Sequence, residues 1–147
     1  MNIYNFLSEK EPDFSGRYIT DIWNFNDFQI ENIHNFIQIL FPLNKPSKAV
    51  FHSYYLKKQK EIDEIKKSQT IQNNLIKSKE WYLNFLKRTN KWRNYTDHNH
   101  LRITRIIECL RLLVSDLEAD SFYNSVLSIL NFDNQINKKT LEIWSRA

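Results

Sequence analysis

Glycine is almost missing from this chain: among 147 residues, only Gly16 is one. Tight β-hairpins, dinucleotide-binding turns and phosphate loops need glycine wherever the backbone takes positive φ or approaches a ligand closely. With none after position 16, those architectures are excluded. Cysteine is equally scarce. Cys109 alone cannot form an internal disulfide, which fits a reducing cytoplasm, and it lies in a strongly helical stretch. Long apolar runs are lacking too: the most apolar stretch, Phe36 to Leu43, contains Gln38 and is far too short to cross a bilayer. The opening MNIYNFLSEKEPD has neither a basic n-region nor a long apolar core, so no signal peptide and no membrane partner are expected.

What is present is 41% hydrophobic and 14% aromatic residues, enough for one core. The pattern predicts an all-α fold, a single compact domain of about six or seven helices over residues 19–147, preceded by an irregular arm at 1–18. The arm is read from aromatics mixed with the turn formers Pro12, Asp13, Ser15 and Gly16. A short helix from about Thr20 to Phe25 is anchored by Trp23. Ile30, Ile33, Ile37 and Leu40 then share one helical face, which Pro42 and Pro46 terminate. A lysine-rich surface helix from Leu56 to Lys67 precedes a helix over 69–88, with Ser68 as its cap. The clearest periodicity lies at about 98–114, where Ile103, Ile106, Ile107, Leu110, Leu113 and Val114 fall within one arc. Asp116 is the expected cap of a helix over 117–130, and a last helix covers 138–147 with Leu141 and Trp144.

Charge is uneven. The net of +4 hides a segment, residues 45–93, with 13 basic and 4 acidic side chains. Asn, Ile and Lys supply 48 residues between them, a bias that AT-rich codons of a bacterial or mobile-element source would produce, so part of the lysine excess needs no functional cause. The basic patch comprises Lys57, Lys58, Lys60, Lys66, Lys67, Lys79, Lys87, Arg88 and Lys91. Its interleaving with Trp81, Tyr82, Trp92 and Tyr95 suits either an acidic protein surface or phosphates and stacked bases.

The run His98-Asn99-His100-Leu101-Arg102-Ile103-Thr104-Arg105-Ile106 closely resembles the HN-x-LRITRI signature of the opioid growth factor receptor conserved domain. Upstream, Trp23 and the segment from Ile33 to Leu43 resemble that family's early tryptophan and its H-x-YIQWLFPL segment, and the stretch from Lys67 to Phe85 resembles its long middle helix. Trp92-Arg93 and Leu141 to Trp144 are similar to two further landmarks, in order and at compatible spacing. Ile39 and Val114 stand where the family usually has tryptophan and glycine. The resemblance implies an all-helical, non-enzymatic domain, here a short stand-alone member. Its vertebrate member is a receptor for an opioid pentapeptide, found at and inside the nucleus.

Beside the resemblance, the residues themselves mark a corner. Arg102 and Arg105 lie one turn apart, about 80° to 140° from the centre of the apolar stripe, with Trp92, Arg93, His98 and Asn99 just before them. Helix N-terminal amides and arginine forks favour carboxylates. The same arginines can equally pair with Glu31 or Asp27 and hold helices together. His98 and His100, two residues apart on a helix, point about 200° from each other and make no metal site. Cys109 has no histidine beside it, so no catalytic set, cofactor or metal is expected. The leading expectation is therefore a binding domain for a protein or peptide. The alternatives are nucleic-acid binding through residues 57–93, or a small inhibitor or regulator of a larger bacterial machine.

Overall fold

A computed structural model describes residues 1–48, 53–131 and 135–147. Among these residues all regular structure is helical: nine α-helices and one 3₁₀ turn. They gather into two compact units, Met1–Ser78 and Lys79–Ala147.

The first unit opens with α1 (Ile3–Leu7), where an irregular arm is expected. Asn2 caps it, its side chain accepting from the Asn5 amide at 2.9 Å, and Ile3, Phe6 and Leu7 place an i, i+3, i+4 apolar face in the core. Gly16 follows in a tight loop at φ 77°. The buried Asp13 carboxylate accepts from the Ser15 and Arg17 amides at 2.8 and 2.9 Å and from Arg17 Nε at 2.7 Å. The remaining Arg17 nitrogens donate to the Asn35 side chain and carbonyl at 3.0 and 3.2 Å. Residues 13–17 are thus a closed clasp, tied to position 35.

α2 (Ile19–Trp23) and α3 (Asp27–Asn32) come next. A capping box between Asn26 and Gln29, with bonds of 2.8 and 2.9 Å, starts α3 three residues before the first isoleucine of the expected stripe. Ile33 is extended (φ −90°, ψ 124°) and stops it, so the single helix expected over 30–40 is two, the second being α4 (Ile37–Leu40). α5 (Gln59–Lys67) buries Ile62 and Ile65 and leaves its lysines in solvent. α6 (Gln69–Arg88) begins where Ser68 accepts from the Ile71 amide at 3.3 Å, and its Asn74 side chain donates to the Leu7 carbonyl at 2.8 Å, satisfying the end of α1.

The second unit contains the rest of α6, the 3₁₀ turn Lys91–Arg93, α7 (Asn99–Leu113), α8 (Asp116–Leu130) and α9 (Lys138–Arg146). α7 packs along α8 and against α9. Its stripe is buried from Ile103 to Leu113, while Val114 forms the C-cap and is half-exposed. Ser115, not Asp116, caps α8, accepting from the Glu118 amide at 3.1 Å. The serine hydroxyl sits one residue ahead of the helix, leaving Asp116 in the first turn, where its charge favours the helix dipole. Arg111 ties the three helices together, donating to Asp116 and Asp120 on α8 at 2.8 Å each and to the Ala147 carbonyl at 2.9 Å.

Candidate functional site

The second unit holds every residue of the marked corner, and three of the six are buried. Trp92 is 1% exposed. Its indole N–H donates to the Leu86 and Thr89 carbonyls at 2.9 and 3.0 Å, closing the end of α6. Asn99 is equally buried. Its side-chain oxygen accepts from the Tyr82 hydroxyl at 2.5 Å and from Arg102 Nη1 at 3.3 Å, and its amide donates to Asp97 at 2.8 Å. His100 Nε2 lies 2.6 Å from the Trp92 carbonyl. A carbonyl only accepts, so Nε2 carries the ring proton. The His100 carbonyl in turn accepts from Trp144 Nε1 at 3.1 Å, and the two rings meet edge to face. Arg102 is 5% exposed.

Trp92, Asn99 and Arg102 therefore sit below the surface, in a polar network linking α6, α7 and α9. His98 and Arg105 are half-buried, and desolvation pushes the Arg105 guanidinium below its ordinary value against the pull of Cys109 and Glu108. Cys109 is fully buried beside the stripe, its thiol pushed by burial up to about 12. It is an inert packing residue rather than a nucleophile.

The basic patch divides differently. Lys57, Lys58, Lys60, Lys66 and Lys67 are exposed in the first unit, and Lys87, Arg88 and Lys91 in the second. Lys79 leaves the patch: it is buried and paired with Glu80 and Glu118 at 2.9 and 2.8 Å, which raises its pKa despite desolvation. Tyr82 is buried and Trp81 half-buried, so of the aromatics interleaved with the lysines only Tyr95, at 62%, shows a broad face to solvent.

Arg93 stands between the two groups. Its guanidinium carbon lies 5.7 Å from the centre of the Trp92 ring, and its buried Nε finds no acceptor among the described residues. The Arg93 and Tyr95 carbonyls accept from the Gln135 and Asn137 amides, each at 3.2 Å, fixing the loop at two points. Sequence reasoning missed Arg111 as the organiser of the helix ends. The acids at 116 and 120, on a following helix, were its only signal. It also missed a recess of about 180 Å³ in the first unit beside Tyr54, Tyr55, Lys57 and Glu61. No helix among the described residues is long and apolar enough to cross a membrane.

The model of a family described as the opioid growth factor receptor conserved region matches residues 1–143, a span that includes α1 and every residue of the corner. The human opioid growth factor receptor is 32% identical over 117 residues, covering 65% of this chain and 17% of its own length. This chain thus spans about a sixth of that relative. No solved structure matches.

Proposed function

Because this chain belongs to the opioid growth factor receptor conserved-region family, we propose that it is a non-enzymatic, cytoplasmic binding domain for a protein or peptide with an acidic surface. The observation that carries this reading is the division of polar groups. Asn99 and His100, the groups with most chemistry to offer, are taken up by internal hydrogen bonds, whereas the cations of residues 57–67 and 87–91 remain in solvent. An excess of exposed charge of one sign, here kept despite Asp63 and Glu64 among the lysines, steers and selects a partner of the other, mainly through association rate and specificity.

The human relative's name makes an opioid growth-factor peptide the first ligand to try, followed by acidic peptides. Calorimetric titration of the full chain tests the reading. The expected result is saturable binding that weakens as ionic strength rises. A chain that binds no peptide at any salt concentration overturns it.

A further inference from the structure

We infer that residues 87–95, at the end of α6 and just beyond it, form the docking face for an acidic peptide segment, one of whose carboxylates meets the Arg93 guanidinium. The inference rests on the partner-binding reading above and assigns it a surface and a chemistry.

The stretch Lys87-Arg88-Thr89-Asn90-Lys91-Trp92-Arg93-Asn94-Tyr95 has four cations and no acid. Cations in a helix's last turn favour its dipole, which accounts for Lys87 and Arg88 without any ligand. It does not account for Arg93, which lies outside the helix. Other arginines here have internal anions: Arg17 holds Asp13, Arg111 holds Asp116 and Asp120, and Arg146 holds Glu142. Arg93 is positioned by packing instead, against an indole that two hydrogen bonds already fix. Its flanking backbone is pinned through the 93 and 95 carbonyls, and Asn94 is extended (φ −76°, ψ 173°). Tyr95, two residues further on, is exposed. A planar cation held by packing before binding costs little ordering when a carboxylate arrives.

The choice of an acidic peptide over single-stranded nucleic acid follows from the aromatics. Base stacking needs several exposed rings. Among the aromatics interleaved with these cations, Trp92 and Tyr82 are in the core, Trp81 is half-buried, and Tyr95 is the one broadly exposed.

The test uses the full chain and fluorescence anisotropy of a labelled oligoglutamate peptide at low salt, with oligothymidylate of similar charge for comparison. Arg93→Ala is expected to weaken oligoglutamate binding about tenfold, the scale of one charge-assisted pair. Arg93→Lys restores it only in part, because the fork is lost. The joint Lys87→Ala and Lys91→Ala variant weakens it severalfold, and the control pair Lys66→Ala and Lys67→Ala changes it less than about twofold. Circular dichroism melting checks each variant. If Arg93→Ala does not fold, Tyr95→Ala and the Lys87/Lys91 pair carry the test. Equal losses from the control pair, tighter binding of oligothymidylate with the same variant dependence, or no oligoglutamate binding each overturn the inference. The partner-binding reading fails separately, only when the peptide titrations of the preceding section also show nothing.

Discussion

Two neighbouring stretches of the second unit, 87–95 and 97–105, put the same residue types to opposite uses. In the later stretch Asn99, His100 and Arg102 turn inward and close a network with Tyr82, Trp92 and Trp144. In the earlier one Lys87, Arg88 and Lys91 stay in water and Arg93 packs on Trp92 without an anion for its Nε. The more recognisable stretch thus buries its polar groups, and the plainer one keeps most of its cations in solvent. A motif marks what a family needs in order to fold as readily as what it binds.

The contrast can be broken most severely at Trp92, which serves both sides. Trp92→Ala removes a fully buried indole, the cap of α6 and the seat of Arg93. It should cost about 3–5 kcal/mol in urea unfolding, so its binding defect would appear together with lost stability. Asn99→Ala tests the inward stretch alone. It leaves the buried Tyr82 hydroxyl and Arg102 without their shared acceptor, for about 1–3 kcal/mol, and Tyr82→Phe on that background should add less than it does on the natural chain.

Cys109 sharpens the inward side through pH. Its folded thiol lies near 12 against an ordinary 9.0. Above pH 9 the unfolded chain loses a proton that the folded chain keeps. The contribution is therefore whole below pH 9 and falls by about 1.4 kcal/mol per pH unit toward 12. Subtracting the Cys109→Ala curve isolates it from the lysines and tyrosines that titrate in the same range. A difference that stays flat from pH 9 to 11 would contradict the thiol's burial. The smallest stability effect belongs to the outward side: Arg93→Ala, which loses the contact with the Trp92 ring, should shift unfolding by about 0.5–1 kcal/mol, while changing oligoglutamate affinity as above. A large loss of stability would place Arg93 with the network instead.

The long helices were legible because their apolar stripes run for several turns: the Ile103 to Leu113 face of α7 is buried as its spacing predicts. α1 was hidden in five residues, too few for periodicity to stand out beside Pro12 and Gly16, although Asn2 and the Ile3, Phe6, Leu7 spacing were its signals. The break at Ile33 is a change of backbone conformation, from helical to extended, that a hydrophobic pattern does not register. For the site, a helical wheel gives the angle of Arg102 from its own stripe but not what covers that flank. Lys79 looked like its exposed neighbours because its acid at 118 lies 39 residues away. Family membership was legible from the ordered motifs themselves, and the family model matches residues 1–143.

The imidazole proton of His100 also gives the molecule an internal clock. Held on Nε2 by the Trp92 carbonyl and shielded by Trp144, it reaches solvent only when the second unit opens. Such a proton gives a slowly exchanging imidazole resonance in magnetic resonance spectra, separate from the crowded amide signals of a helical protein. Because its acceptor belongs to the residue beside Arg93, its exchange rate reports how often the floor beneath the outward face gives way.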